Sequence, residues 1–388
     1  MKVFLETINT FIGLPMVKYP VDVFSKFGAI TIVQSVFGHQ KNYLASKGRH
    51  ILLRRYENDT AFVYQNLYQK IEKYIQALFY SYRALARNDT QIVYVIDLYC
   101  LFLFLLARKF SGRRNFILIY HQFELKEPAR LNRLEQFFLR YISRNCGEID
   151  LVVMPEQNRL EYFMSQLTGK KEAIRTFIFP NTNDYDPPAE TVEKPKGTKT
   201  IVGHIGSVGS EHYIRHFVEA AKLLPQDCKV WFTGNLDPSI EKLLTGAGLS
   251  NVKYFGHVPH DKLADFYRQF DVGLILYRDT SLNFRYCAPN KLYEYWSHGI
   301  PVVAHRLPGL TPVFGIPEQG LLTDMEHFEN IASAIQECVL KNTPAQRQRL
   351  VRYFQEHLHA GIYMRQLEAI INGLLAAKHL SGTIPQAV

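Results

Sequence analysis

The sequence predicts an α/β protein with two doubly wound domains, each built on a parallel sheet. The chain has 388 residues, which is too long for one ordinary hydrophobic core and fits two domains of about 150 to 200 residues. In both halves, short β-branched or aromatic runs alternate with longer amphipathic segments, as strands alternate with crossover helices in a parallel sheet. Between residues 180 and 200 the alternation gives way to Asn, Asp and Pro, which indicates an interdomain linker.

Six candidate strands and one long helix dominate the first half. The helix is expected at 61–87, where apolar residues recur at helical spacing and basic residues stand among tyrosines on the other face. An aromatic stripe of this kind usually packs in a core, but a basic aromatic helix can also rest on anionic lipid. The strands are expected at 3–7, 29–33, 50–54, 92–96, 116–120 and 151–154.

The second half repeats the pattern without repeating the sequence. Strands are expected at 200–205, 229–233, 252–255, 272–276 and 301–304. Helices are expected at 213–223, 238–244, 261–270 and 291–298. Strands and helices in this alternation again predict a doubly wound sheet.

Composition is typical of a globular protein. With 47% hydrophobic and 21% charged residues, the chain can bury substantial cores. Its five cysteines are widely spread without zinc-site spacing, and we expect reduced thiols in a cytoplasmic protein. The first residues lack the features of a secretory signal. The apolar run 98–107 has about half the length of a membrane span, so we expect a buried helix there.

The excess of basic residues that gives the formal net charge of +9 lies entirely in the first half of the chain. Residues 1–184 contain 25 Lys and Arg against 16 Asp and Glu, a difference of +9, whereas residues 185–388 contain 20 of each. Such an excess suits nucleic acid, an anionic membrane surface or a phosphorylated substrate. Charge alone leaves these three open.

The most informative stretch surrounds the short helix expected at 291–298. Asn290 is expected to be its N-cap, and Gly299 to take the left-handed position that ends it. The helix N-terminus, with Lys291 in its first turn, can receive a diphosphate, and Glu294 can accept hydrogen bonds from ribose hydroxyls. The alternative is an exposed ion pair between Lys291 and Glu294, worth roughly a few tenths of a kcal/mol.

A resemblance to a known family rests on the same stretch. Pro289-x-Lys291-x-x-Glu294-Tyr295, followed by Gly299-x-Pro301-Val302-Val303, resembles the donor-site signature of GT-B glycosyltransferases related to family GT4. The upstream segments 202–206, 252–258 and 271–274 resemble successive strands of that family, so the similarity covers most of residues 200–310. It is weaker in the first half, at 119–124, 150–156 and 179–181. The resemblance implies a GT-B fold, in which two Rossmann-like domains face a cleft.

The resemblance also implies a division of labour along the chain. Residues 1–184 would form the acceptor-binding domain, residues 185–360 the domain that binds the nucleotide-sugar donor, and residues 361–388 a helix that packs back toward the first domain. In the first domain it implies Thr10 and Gly13 at the acceptor, with His121 and Glu124 as catalytic candidates. The alternative for His121 is a structural role, which is the more common one for a lone histidine at a strand end. The implied donor-binding residues are Gly206, Ser207, His212, Gly256, His257, Tyr286, Pro289, Asn290, Lys291, Leu292 and Glu294.

Three positions depart from the family pattern. Relatives commonly place an Arg and a Lys where this chain has Ser207 and His212, so Lys291, with Arg285 or Arg278, would have to balance the diphosphate. Many retaining members have a Glu where this chain has Tyr286. The donor sugar and the stereochemical outcome are therefore open, with retention favoured.

The resemblance implies a metal-independent glycosyltransferase of the hexosyltransferase type, without a cofactor and with a UDP-sugar as the expected donor. The DxD at 184–186 is interpreted as a coincidence in the linker. The basic first half favours a lipid-linked oligosaccharide or glycolipid acceptor in surface polysaccharide assembly, a peripheral position on the cytoplasmic membrane face, and no nucleic-acid partner. Two alternatives remain: a non-catalytic subunit that binds nucleotide sugar in a transferase complex, and a sugar-nucleotide epimerase on the same fold.

Overall fold

The computed structural model describes residues 1–8, 15–37, 44–57, 66–87, 89–125, 127–187, 199–235, 237–246, 249–258 and 262–378. The chain divides into two compact units, Met1–Pro180 with Gly361–Val388, and Asn181–Ala360. Each unit is built on one sheet, and all strand pairings in both sheets are parallel. The predicted fold class, α/β with two doubly wound parallel sheets, is confirmed.

Seven strands form the sheet of the first unit. They are β1 (Lys2–Thr7), β2 (Ala29–Phe37), β3 (Arg49–Tyr56), β4 (Thr90–Ile96), β5 (Ile117–His121), β6 (Leu151–Met154) and β7 (Arg175–Ile178). Their order is β3-β2-β1-β4-β5-β6-β7, so the direction of winding reverses between β1 and β4. The six predicted strands are all present. The edge strand β7 was not predicted, because its first two residues are exposed and its run is neither apolar nor alternating.

In the part of the first unit that the structure describes, five α-helices precede the linker. They are α1 (Lys18–Ser25), α2 (Leu67–Ala86), α3 (Leu98–Ser111), α4 (Arg133–Arg144) and α5 (Gln157–Ser165). Helix α2 begins with a capping box in which Asn66 accepts from the backbone N–H of Gln69, later than the predicted start at 61, and residues 61–65 lie outside the described part. Helix α3 is the predicted buried helix. Among the described residues, no helix is both long and apolar enough to cross a membrane.

The second unit has six strands in the order β10-β9-β8-β11-β12-β13. They are β8 (Ile201–Ile205), β9 (Lys229–Thr233), β10 (Val252–Tyr254), β11 (Val272–Ile275), β12 (Val302–His305) and β13 (Gly320–Thr323). Here the winding reverses between β8 and β11. The helices are α6 (Ile214–Lys222), α7 (Pro238–Gly246), α8 (Leu263–Tyr267), α9 (Leu282–Arg285), α10 (Asn290–Ser297), α11 (Phe328–Lys341) and α12 (Pro344–Tyr353), followed by a π-helical turn at Phe354–Leu358.

Apolar side chains cover both faces of the second sheet, as expected for parallel strands. One face packs Val202, Val230 and Leu274 beneath α6 and α11. The other face packs Ile205 and Ile275 against Trp296 and its neighbours from α10. Helix α10 is therefore fixed to the sheet by its own core residues, which gives its polar side chains defined positions.

The last helix, α13 (Ala360–Ala377), belongs to the first unit from Gly361 onward. Its buried residues include Leu367 and Ile371. Lys26 forms an ion pair with Glu368 at 2.6 Å, and the amine of Lys378 lies 2.7 Å from a carboxylate oxygen of Asp150, at the start of β6. The last helix of the chain is therefore part of the first unit.

Candidate functional site

The candidate site of the second unit lies at the carboxyl ends of β8 and β11, where the strand order reverses. Ligands of open parallel sheets bind outside the strand ends at such a point. Gly206 follows β8, and Tyr277 follows β11 by two residues. Lys291, from the first turn of α10, reaches the same place, since a Cβ built on Gly206 would lie only 3.1 Å from the Lys291 Nζ. A lysine amine therefore faces bare backbone at the point where the fold favours ligand binding.

Helix α10 begins one residue earlier than predicted, and the prediction that Asn290 is its N-cap is wrong. Asn290 has helical geometry, and Pro289 occupies the cap position with extended dihedral angles and no capping side chain. The fixed φ of proline suits this boundary, and it places Asn290 inside the helix, where its side chain cannot act as the cap. Because Pro289 provides no capping side chain, the backbone N–H groups of Asn290 and Lys291 are available to an anion, whereas that of Leu292 donates to the Pro289 carbonyl at 3.2 Å. Gly299, with φ of +69°, ends the helix as predicted.

Lys291 is buried, with 8% of its surface exposed. Its Nζ lies 3.3 Å from Nε2 of His204, a fully buried residue in β8, and 5.3 Å from the ring centroid of Tyr277. Within the described ranges, no carboxylate lies at ion-pair distance from this amine. Burial lowers the pKa of Lys291 to about 7, since the amine has lost its water without gaining a countercharge. The alternative of an exposed ion pair with Glu294 does not hold.

Glu294, one turn further along α10, is half-buried and held in place. It accepts a hydrogen bond from the hydroxyl of Tyr267, and its backbone carbonyl lies 2.8 Å from Nδ1 of His298. The His298 ring stacks between Tyr267, at 4.7 Å, and Tyr185, at 4.2 Å between ring centroids. The carboxylate is therefore positioned by a stack of aromatic rings. Neither Tyr267 nor His298 was predicted.

Backbone rather than side chain forms the floor of the site. Gly206 has φ of +112° and Gly234, which follows β9, has φ of +126°. A Cβ on Gly234 would lie 2.3 Å from the Gly206 carbonyl oxygen, so only glycine fits there. The N–H of Gly234 donates in turn to the Gly256 carbonyl at 2.9 Å. Gly234 was missed, although its place directly after the predicted strand 229–233 was a usable signal.

His212 lies beside Lys291 and His204. Its ring centroid is 6.2 Å from that of His204 and 5.1 Å from that of Tyr277. Burial and the nearby Lys291 charge lower the pKa of His212 to about 4. His212 is thus an uncharged neighbour of Lys291 at neutral pH. His204 was missed as a site residue, although a histidine inside an apolar strand was visible in the sequence.

The remaining predicted donor residues have different surroundings. Ser207 is exposed directly after Gly206, His257 is exposed after Gly256, and Tyr286 is half-exposed at the end of α9. Leu292 is buried in the apolar core and supports α10 rather than facing a ligand.

The additional cations suggested by the sequence have other partners. The Nε of Arg285 is 3.0 Å from both carboxylate oxygens of Asp279, and the Arg278 guanidinium lies 5.5 Å from the ring centroid of Tyr213. These contacts leave Lys291 as the principal positive charge of the site in the part of the chain that the structure describes.

In the first unit, His121 lies at the carboxyl end of β5 and is 1% exposed. Its Nδ1 is 2.5 Å from the Tyr94 hydroxyl, its Nε2 has no hydrogen-bond partner among the described residues, and burial lowers its pKa to about 3. Glu124 is exposed on the loop that follows. Thr10 and Gly13 lie outside the described residues.

A further acid in the first unit was missed. Glu6 is fully buried at the end of β1, where the strand order reverses, and accepts from the Ser81 hydroxyl at 2.7 Å. Burial raises its pKa to about 8. Asp97, at the end of the adjacent β4, has φ of +77°, and its side chain accepts from the N–H groups of Tyr99 and Cys100. Periodicity in the sequence does not mark Glu6 or Asp97 as a site residue.

Residues 199–341 match the family model described as glycosyl transferases group 1. This segment contains Lys291, Glu294 and the glycines of the site in the second unit. This part of the chain is therefore similar to group 1 glycosyltransferases. The match confirms the resemblance to GT4-type glycosyltransferases. No curated protein matches this chain.

Several solved structures have the same fold as this chain. The chain is similar to the Anabaena protein HepE in complex with UDP-glucose, at 13% identity and a TM-score of 0.70, covering 96% of this chain and 100% of that one. It is also similar to a sucrose-phosphate synthase from Thermosynechococcus elongatus, at 18% identity, TM-score 0.69, and 97% and 100% coverage. For the lipopolysaccharide outer core galactosyltransferase WaaB the values are 14%, 0.67, 97% and 100%. The whole chain therefore has the GT-B fold.

Proposed function

We propose that this chain transfers a sugar from a UDP-sugar to an acceptor hydroxyl, with the donor bound in the second unit. The observation that carries the proposal is the Lys291 amine facing Gly206 at the reversal of strand order. A diphosphate there would contact the Lys291 amine and the uncapped N–H groups of α10, which together stabilise a leaving diphosphate. Two structural neighbours, HepE and an E. coli protein, are in complex with UDP-glucose and UDP-2-fluoro glucose, which supports the choice of UDP.

The side chains of α10 supply the remaining donor contacts in this proposal. Glu294 would accept hydrogen bonds from the ribose hydroxyls, because its carboxylate is half-buried and held by Tyr267. The backbone at Gly206, Gly234 and Gly256 would pass close to the nucleotide without obstructing it. Ser207, His257 and Tyr286 stay candidates for the periphery of the donor.

A screen of nucleotide sugars tests the donor assignment. UDP-, GDP-, ADP- and CMP-sugars are added to the protein and the melting temperature is recorded; a donor at 100 times its Kd stabilises by about 2.7 kcal/mol. We expect the largest shift with UDP-sugars, and a much smaller one in Glu294→Gln. Glu219→Gln, an exposed glutamate on α6, is the matched control and should retain the full shift. Equal shifts in both variants would contradict the donor site.

The acceptor is proposed to be carried on a membrane lipid. Helix α2 exposes a row of large apolar side chains at intervals of three or four residues, which therefore lie on one face. These are Leu67, Ile71, Ile75, Phe79 and Tyr82, each at least 46% exposed. Lys70 and Arg83 lie on the same helix, and the first half of the chain carries the whole net positive charge. An exposed apolar stripe with basic neighbours suits the interface of an anionic membrane.

Vesicle binding tests this part of the proposal. We expect the protein to co-sediment with vesicles containing phosphatidylglycerol and to be released by salt, because the basic charges act through a screened field. Ile75→Ser and Phe79→Ser should weaken binding without changing the melting temperature. Leu340→Ser, which alters an 83% exposed leucine of the second unit, is the control. Binding that survives in the α2 variants would reject this surface.

The reaction chemistry is proposed for the first unit. His121 is neutral, and its Nε2 has no partner in the part of the chain that the structure describes, so it can donate or accept at a sugar hydroxyl rather than act as a cation. Glu124 is the second candidate, and Thr10 and Gly13 remain predicted acceptor residues. We propose a metal-independent, retaining transfer at the cytoplasmic membrane face.

Product analysis separates this reaction from its alternatives. A UDP-sugar incubated without acceptor should yield no epimerised sugar nucleotide, whereas isomerisation would establish an epimerase. Transfer to a lipid-linked acceptor in the presence of EDTA, with the anomeric configuration read by NMR, should give the retained product. Donor binding without transfer until a partner chain is added would favour the binding-subunit alternative.

A further inference from the structure

Three nitrogen bases converge at the proposed donor site. The Lys291 amine is 3.3 Å from Nε2 of His204, and the His212 ring lies 6.2 Å from that of His204. Among the described residues, Nε2 of His212 is buried and has no hydrogen-bond partner, whereas the His204 ring is buried against the backbone of Leu274. Buried polar atoms normally find partners, so the unpaired Nε2 of His212 beside the buried Lys291 amine indicates that a ligand completes the cluster.

The hydrogen bonds fix which nitrogens carry hydrogen. The backbone N–H of Gly209 donates to Nδ1 of His212 at 3.2 Å, so neutral His212 carries its hydrogen on Nε2, which is a free donor. When Lys291 is protonated, its amine donates to Nε2 of His204, and His204 is then the Nδ1–H tautomer. His204 therefore acts as an uncharged acceptor that positions the lysine, whereas a carboxylate would keep it charged.

The other titratable groups around Lys291 do not replace the missing countercharge. Cys287 precedes α10 and is a buried thiol. Tyr277 presents its ring to the amine, and the Tyr295 hydroxyl donates to the Gly203 carbonyl. Glu294, on the same helix, raises the pKa of Lys291, but burial outweighs it. The amine is thus only partly protonated near neutral pH.

We propose that the donor diphosphate binds to a titrating lysine positioned by His204 and to the neutral N–H of His212, so that binding draws about one proton from solvent onto Lys291. The inference rests on the proposed donor site and adds a regulation to it. A diphosphate is a permanent anion in this pH range, and its charge favours the protonated lysine. Below a pH of about 7 the amine already carries its proton; above it, each bound donor must recruit one.

The affinity for donor therefore falls as the pH rises. If the bound lysine stays protonated throughout, the Kd of a UDP-sugar increases tenfold per pH unit above the free-state pKa, which amounts to about thirtyfold between pH 6 and pH 8.5. Uridine, which lacks the diphosphate, should bind with little change over the same range. Proton uptake per site should approach one at pH 8.5.

Calorimetric titration of UDP-glucose measures both quantities. The Kd is determined at pH 6, 7, 8 and 8.5, and the number of protons taken up is obtained at pH 8.5 from buffers of different ionisation enthalpy. We expect the thirtyfold change and an uptake near one proton. A pH-independent Kd with zero uptake would overturn the inference and leave the donor site standing, whereas no binding of UDP-glucose at any pH would overturn the donor site itself.

Two variants locate the proton. Lys291→Arg carries a permanent charge, so its Kd should no longer depend on pH. His212→Phe removes a neutral donor, so it should weaken binding about tenfold by the same factor at every pH. A pH slope that survives in Lys291→Arg, or disappears in His212→Phe, would contradict the assignment to Lys291. Circular dichroism establishes whether both variants fold. If Lys291→Arg does not fold, the proton uptake of the unmodified protein at pH 8.5 decides whether a proton is bound with the donor.

Discussion

Replacing Lys291 by Met is predicted to stabilise the unliganded protein. The folded state holds the amine at a pKa of about 7 against an ordinary value of 10.5, with burial as the main cause. Because the folded-state pKa is the lower one, the unfolded chain binds the proton more tightly between these values. The lysine therefore destabilises the fold at neutral pH, and this cost declines as the pH rises toward 10.5.

The magnitude follows from the same difference. At pH 7 the lowered pKa corresponds to a cost of about 4 kcal/mol. Methionine has a similar length and no charge, but it leaves Nε2 of His204 without its partner, which costs about 1–2 kcal/mol. The net expectation is that Lys291→Met is more stable by about 2–3 kcal/mol at pH 7, and that the gain has largely disappeared by pH 10.

Scanning calorimetry at pH 7 and pH 10, without nucleotide, measures this difference. For a unit of this size we expect the melting temperature to rise by roughly 4–10 °C at pH 7. Lys222→Met, which alters an exposed lysine paired with Glu219, should change it by less than about 1 °C. A lower melting temperature for Lys291→Met at pH 7 would refute the reasoning, because the charge would then already be balanced in the free protein.

Three further variants test contacts that hold the backbone of the second unit in place around the site. Gly234→Ala should destabilise the second unit by more than about 2 kcal/mol in urea and abolish the UDP-glucose response, because its Cβ would meet the Gly206 carbonyl at 2.3 Å; an unchanged urea midpoint would contradict this. Arg347→Met should cost up to about 3 kcal/mol, since it removes the 2.9 Å ion pair between a buried guanidinium and the half-buried Asp271 carboxylate, and Asp271→Asn in the same chain should restore part of the loss. Asn181→Ala removes a 2.7 Å hydrogen bond to the carbonyl of Ala288, just before α10, and should raise the Kd of UDP-glucose a few-fold at unchanged melting temperature. An unchanged Kd would show that Asn181 does not help to position the start of α10 for the donor.

Most strands of both sheets could be predicted because buried parallel strands are short, apolar and rich in β-branched residues. The end of α10 was predictable for a similar local reason, since Gly299 followed by Pro301 permits no other continuation. Edge strand β7 lacks this signal because Arg175 and Thr176 face solvent. Local sequence is sufficient to predict a strand that is buried on both faces, because burial determines its composition. It is insufficient for a strand that has one face open to solvent.

The site was predictable in position but not in its charge balance. The stretch from Pro289 to Glu294 indicated a phosphate-binding helix, and α10 begins there. The sequence could not show that Lys291 would turn toward Gly206 and His204 instead of Glu294, because that choice depends on the packing of α10 against β8 and β11. Asn290 is not the cap, because the helix begins one residue earlier and Pro289 occupies the cap position.

The most direct measurement of the central claim is the affinity of UDP-glucose for the unmodified protein and for Lys291→Met at pH 6.5, where Lys291 is mostly protonated in the unmodified protein. We expect that the variant is folded, is more stable without ligand, and binds UDP-glucose about a hundredfold more weakly, because a charged hydrogen bond to a buried phosphate contributes about 2–3 kcal/mol. Equal affinities for the two proteins would contradict the account.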